Sequence, residues 1–217
     1  MATCGEVLVK LLEAYGVDTV FGIPGVHTVE LYRGLPATGI RHITPRHEQG
    51  AGFMADGYAR VTGKPGVCFL ITGPGVTNAA TAMGQAYSDS IPMLVISAVN
   101  NTQDLAMGMG RLHELPDQRN VTAGYTVFSH TLLNPRDLAE VLARAFASFS
   151  GERPGPVHIE IPVNVITQEV KFIHDDAVIC PKPSPDYEVI QQAARELAAA
   201  KNPVILFGGG SVDASAE

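Results

Sequence analysis

The 217 residues contain no run of Lys or Arg, no Cys-x-x-Cys pair and no apolar stretch approaching the ~18–20 residues that a membrane span needs. The first absence excludes a nucleic-acid partner, since phosphate-backbone binding leaves a basic footprint. Here the formal net charge is −7 and the pI about 5.5. The second excludes a disulfide framework and a structural zinc site: Cys4, Cys68 and Cys180 are few and far apart. Cys68, inside an apolar run, reads as a small core residue. The third leaves no membrane partner, and with no secretory leader at the start a cytoplasmic protein is expected. A dinucleotide-binding fingerprint is also missing, because no G-x-G-x-x-G follows the first strand. What the chain has is apolar bulk: 46% hydrophobic residues against 17% charged. That supports a sizeable core with apolar surface left over for a second chain.

Helical and strand periodicities alternate. Thr3 and Glu6 form a capping-box pair ahead of Val7, Leu8, Leu11 and Leu12, and Gly16 sits where a helix-terminating glycine belongs. Residues 19–21 read as a strand running into Gly22-Ile23-Pro24-Gly25, and 28–33 as a short helix. Residues 40–44 and 67–72 read as central parallel strands. Between them Gly50, Ala51, Gly52, Ala55, Gly57 and Ala59 recur three to four apart, so small side chains line one face of a helix. Gly73-Pro74-Gly75 opens a helix over 76–90, and a strand covers 93–97. Asn134-Pro135 reads as N-cap and first residue of a helix reaching Phe149, followed by a strand at 157–161. The expected fold is α/β, a doubly wound, mainly parallel sheet with helices on both faces. Residues 166–185, with Pro181, Pro183 and Pro185, read as a linker after a domain spanning 1–165. Residues 186–217 then read as the start of a second α/β domain, one helix and one strand (203–207), too little to bury a core of its own.

The most informative stretch is Arg46-His47-Glu48-Gln49-Gly50-Ala51, the helix to Gly63, and Val67 through Ile71-Thr72-Gly73-Pro74-Gly75-Val76-Thr77-Asn78. It sets one carboxylate at the mouth of a helix, at the edge where open parallel sheets place ligands. This segment strongly resembles the pyrimidine-binding domain of thiamine-diphosphate enzymes of the acetolactate synthase, benzaldehyde lyase and pyruvate decarboxylase superfamily, and the resemblance covers roughly residues 3–165.

The resemblance implies thiamine diphosphate with magnesium as cofactor. Glu48 matches the family glutamate that hydrogen-bonds to N1′ of the aminopyrimidine, favouring the tautomer whose N4′ removes the C2 proton. Pro24, Gly25, Thr72, Pro74, Gly75 and Asn78 match residues beside the pyrimidine ring, although a tight strand-to-helix turn would need the same glycines. His27 stands where benzaldehyde lyase also has a His. It reads either as a substrate-facing proton donor or as a helix-start His bonded to backbone. His113 falls where the decarboxylases have a His-His pair and acetolactate synthases a Gln, and Glu114 replaces the second His. His47 reads as structural, and His42, His130, His158 and His174 show no constellation around them.

No metal ligands are expected here: in the resembling family the magnesium and diphosphate ligands lie in a later domain. The implied reaction is lyase, carboligase or decarboxylase chemistry on a small-molecule 2-oxo acid or aldehyde, and the implied assembly a homodimer or dimer of dimers, built through the small-residue helix faces. The 217 residues alone are expected to be inactive. A non-catalytic dimerising α/β module without the diphosphate-binding half is the alternative.

Overall fold

The computed structural model describes residues 2–151, 153–170 and 176–211. They fall into two compact units, Met1–Cys180 and Pro181–Glu217.

In chain order the first unit runs β1 (Ala2–Thr3), α1 (Cys4–Ala14), β2 (Thr19–Gly22), α2 (Val29–Gly34), β3 (Arg41–Ile43), α3 (Glu48–Thr62), β4 (Gly66–Leu70), α4 (Pro74–Asp89) and β5 (Met93–Val99). It continues with α5 (Gln118–Ala123), β6 (Phe128–Thr131), α6 (Leu138–Gly151), β7 (Pro156–Pro162), α7 (Val163–Ile166) and β8 (Glu169–Val170). Six strands form one sheet in the order β3-β2-β4-β5-β7-β6, every pair parallel. The chain leaves β2 toward β3 on one side and returns to β4 on the other, so a topological switch point lies at the carboxyl ends of β2 and β4.

Successive residues of the central strands alternate between two cores. Val67 and Phe69 of β4, with Leu94 and Ile96 of β5, join Leu8, Leu12 and Leu31 of α1 and α2 and Leu142 of α6. Cys68, Leu70, Met93 and Val95 face Ala51 and Ala55 of α3 and Val76, Ala79 and Met83 of α4. Both sheet faces are thereby covered by helices. The small residues of α3 are what let it lie so close: a Cβ on Gly52 would come within 2.6 Å of Ala82 of α4, and one on Gly66 would collide with the backbone of Ala55.

Several expectations needed correction. Residues 40–44 are not a central strand: β3 is an edge, paired only to β2 among the described residues, and its side chains are exposed or half-buried. The small-residue face of α3 is consumed inside the chain, since Ala51 and Ala55 are fully buried in its own core. The first unit also runs past residue 165, because β8 pairs antiparallel with β1 and the Cys4 amide donates to the Gln168 carbonyl at 2.8 Å.

The second unit holds α8 (Tyr187–Ala199), capped by Asp186, whose carboxylate accepts from the amides of Glu188 and Val189. Residues 203–207 form no strand, with Val204 and Leu206 exposed. A strand is completed by a neighbour's backbone, and no other strand lies in this unit among the described residues.

Candidate active site

Three loops meet at the switch point. The turn after β2 carries Pro24, Gly25 and His27; the β3–α3 connection delivers Glu48; the β4–α4 connection, Ile71 to Gly73, leads into Pro74 and Gly75 at the start of α4. Glu48 is the first residue of α3, and His47 before it is the N-cap: its Nδ1 accepts the Gln49 amide at 3.1 Å. The ring of His47 is thus committed to starting the helix that presents Glu48.

The Glu48 carboxylate is half-buried and divided between two neighbours. Oε2 accepts from the Asn78 side-chain amide at 2.9 Å, and Oε1 lies 3.7 Å from where a Cβ on Gly75 would stand. Gly75 has no room for one, since it would press to 2.6 Å against Cγ2 of Ile71. A Cβ on Gly25 would meet Cδ1 of the same Ile71 at 2.6 Å. Ile71 is therefore wedged between bare backbone from the two loops, a contact that sequence reading missed. Its signal was an apolar residue persisting between strand and turn.

The other expected residues are placed as follows. Thr72 is buried and donates its hydroxyl to Gln118 Oε1 at 2.9 Å, so that proton is already used. Pro74 opens α4 at the position where a missing N–H costs nothing. Gly25 is braced by Thr28, whose Oγ1 accepts the Gly25 amide at 3.1 Å. His27 and His113 face each other with ring centroids 6.0 Å apart, and neither Nδ1 has a hydrogen-bond partner among the described residues although both atoms are buried. Such an orphaned polar atom costs about 1–3 kcal/mol, so a missing partner is expected to satisfy it. Burial, and then His113, push the His27 proton affinity below its ordinary value, which favours the neutral ring. His113 itself sits at φ 57°, a left-handed conformation that side chains seldom adopt. Its carbonyl backs directly onto Gly73, where any Cβ would collide with it. Beside His27 opens a cavity of about 430 Å³, lined also by Asn100, Gln103, Asp104, Arg111 and Leu112.

The histidines first read as isolated are not all so. His42 Nε2 donates to the Gly22 carbonyl at 2.9 Å, and the Tyr32 ring stands edge-on to it. His158 is fully buried, with Ser97 Oγ 2.8 Å from Nε2 and Thr122 and Ser129 hydroxyls at 2.8 and 2.9 Å from Nδ1. Burial drives its pKa down to about 3, so the ring is neutral. His130 is half-buried, with its proton affinity also lowered by burial. His174 lies outside the described residues.

The residues present fit an aminopyrimidine: a carboxylate held on one oxygen by an amide, beside an apolar side chain, Ile71, seated on glycine backbone. Among the described residues no group of three or more His, Cys, Asp or Glu is disposed to hold a metal ion, and no helix is long and apolar enough to cross a membrane.

Residues 2–121 match the family model of the thiamine pyrophosphate enzyme N-terminal TPP binding domain. The chain is 60% identical over 216 residues, 98% of its length, to the "Probable 2-ketoarginine decarboxylase AruI" of Pseudomonas aeruginosa, of which it covers 38%. It is 38% identical over 217 residues to the acetolactate synthase isozyme 1 large subunit of Escherichia coli, covering 99% of this chain and 38% of that one. The acetolactate synthase large subunit of Corynebacterium glutamicum is 38% identical over 219 residues, covering 99% of this chain and 34% of that one. The chain therefore spans little more than a third of the length of these relatives, and it belongs to the thiamine pyrophosphate enzymes, whose N-terminal TPP binding domain it carries.

Proposed function

We propose that these residues form the pyrimidine-binding, proton-relaying part of a thiamine-diphosphate-dependent decarboxylase acting on a 2-oxo acid with a guanidino side chain, as in 2-ketoarginine. The observation that carries the reading is the Glu48 carboxylate at the switch point, held through Oε2 by Asn78 and with Oε1 turned toward the bare backbone of Gly75. When bound, thiamine diphosphate supplies an acidic carbon and its own amine base. Glu48 would hold a proton at the pyrimidine nitrogen. Asn78 keeps the carboxylate in one rotamer, and Ile71, packed against the bare backbone of Gly25 and Gly75, would give the ring an apolar surface and exclude water from that side. His27 and His113, whose Nδ1 atoms have no hydrogen-bond partner among the described residues, would move protons at the substrate oxygens. The cavity beside His27 offers the carboxamides of Asn100 and Gln103 to a polar substrate tail, with Asp104 in its wall already paired to Arg111 at 3.0 Å.

Magnesium and the diphosphate would be held by residues outside these 217, and the working unit would be a homodimer or a dimer of dimers. A second reading, carboligation of 2-oxo acids, is favoured by the similarity to acetolactate synthases.

A longer protein carrying this chain would be supplied with cofactor and magnesium and offered 2-ketoarginine and pyruvate in turn. Carbon dioxide release from 2-ketoarginine in preference to pyruvate is expected. Acetolactate from pyruvate as the main product would favour the second reading, and the absence of cofactor-dependent turnover of either would overturn both.

A further inference from the structure

The Gly73 turn is held from behind by a single buried carboxamide. Gln118, the first residue of α5, is 3% exposed. Its Oε1 accepts both the Gly73 amide at 2.7 Å and the Thr72 hydroxyl at 2.9 Å. Its Nε2 lies 2.8 Å from Glu160 Oε2, 3.1 Å from Ser97 Oγ and 3.1 Å from the Ala98 carbonyl. The second Glu160 oxygen accepts from Thr131 at 2.7 Å. Burial raises the Glu160 proton affinity above the ordinary carboxyl value, so a neutral donor facing it is better tolerated than a second anion.

Gly73 has φ 63° and ψ −111°, a conformation only glycine adopts readily, and it is the N-cap of α4 without a side-chain cap of its own. An N–H buried in such a turn needs an acceptor, and Gln118 supplies it. Two residues on is Gly75 and five on is Asn78, the neighbours of Glu48. The same Gln118 lies five residues after His113, whose carbonyl backs onto Gly73. One side chain thus ties the α4 turn and the His113 loop to β5 and β7. Only a carboxamide offers acceptor and donors in that flat fork: Glu lacks the donors, Met both.

We infer that Gln118 is a positioning residue, which sets the Gly73–Gly75 turn and, through Asn78, the carboxylate of Glu48. The inference rests on the turn being the cofactor cradle proposed above.

The test compares Gln118→Glu, Gln118→Met and, as reference, Glu48→Gln. In the 217-residue chain, hydrogen exchange at the Gly73 amide is expected to quicken about tenfold in Gln118→Met, with the β4 amides unchanged. In the longer protein both Gln118 variants are expected to lose about 10–100-fold in kcat, with little change in substrate KM. The Gln118→Glu loss should shrink as pH falls, because the new carboxyl and Glu160 then share a proton and a donor returns; the Gln118→Met loss should not depend on pH. Unchanged Gly73 exchange, or kcat within twofold of wild type in both variants while Glu48→Gln is inactive, would overturn the inference. A fully active Glu48→Gln would instead sink the functional reading, and Gly73 exchange would still decide whether Gln118 holds the turn. Should Gln118→Met fail to fold, the near-isosteric Gln118→Glu, which keeps the acceptor for Gly73 and loses only the donors, carries the kinetic measurement: a kcat within twofold of wild type at every pH would overturn the inference.

Discussion

Asn78 on α4 holds Glu48 on α3 through a side-chain hydrogen bond of 2.9 Å, spanning thirty positions of sequence. A carboxylate that must present one oxygen to a ligand gains from having the other fixed, since an unheld side chain would have to be ordered at each turnover. Asn78→Asp removes the donor and sets a second carboxylate against the first. Cofactor-dependent turnover is expected to fall about 10–100-fold. Steady-state kinetics on the longer protein would show it, and unchanged kcat would mean that the contact does nothing for catalysis.

Acid stability should report on His158. Its pKa in the fold is about 3 against an ordinary 6.5, so as pH falls through this window the unfolded chain takes up a proton that the folded ring refuses. The contribution is present above pH 6.5 and is lost toward pH 3, at up to about 1.4 kcal/mol per pH unit. Glu160, with its affinity raised, acts in the opposite sense: its contribution is present at low pH and is lost as pH rises through its folded value. Urea midpoints of the chain should therefore fall between pH 6.5 and 5, and His158→Gln should flatten that limb. An identical slope in the variant would contradict the assignment.

Two glycines should respond oppositely to alanine. At Gly73 the backbone is left-handed and a Cβ would strike the His113 carbonyl, so Gly73→Ala should cost roughly 2 kcal/mol or more. At Gly57, mid-helix in α3, no atom of the described residues outside its own helix backbone lies within 4 Å of the added atom, and Gly57→Ala should stabilise by about 0.5–1 kcal/mol. Thermal unfolding of the two variants checks both signs.

The proposed dimer has to use what α3 and α4 leave exposed, since their small residues are spent on each other. Phe53, Met54, Val61 and Tyr87 remain, between 41% and 87% exposed. Sedimentation of the wild-type chain should show self-association, and Phe53→Asp with Met54→Lys should abolish it. A wild-type chain that stays monomeric at high micromolar concentration contradicts this surface.

Elements whose signals are local were readable from the sequence. Thr3 and Glu6 do form the capping box of α1, and Gly16 takes φ 82° past its end. The meeting of Glu48 with Gly75 and Asn78 was implied by their shared motif. Three kinds of feature were not readable. Whether a three-residue strand lies at an edge depends on strand order, which no local pattern encodes, so the apolar run at 40–44 reads as central although β3 is an edge. Strand β6 escaped because its half-buried Phe128-Ser129-His130-Thr131 mixes polar and apolar residues. The Gln118, His158 and Glu160 network joins residues 20 to 61 positions from their partners, which only the fold brings together. A signal existed: His158 and Glu160 stand two apart on one face of an otherwise apolar strand, and buried ionisable groups there require partners.

The central claim is that Glu48 operates the cofactor's proton relay. It is tested most directly by exchange of the C2 proton of thiamine diphosphate for deuterium, followed by NMR on the longer protein with wild-type Glu48 and with Glu48→Gln. The account predicts that the variant still binds the cofactor, the change being nearly isosteric, while exchange slows by about two orders of magnitude or more. Exchange at the wild-type rate with cofactor bound would contradict it.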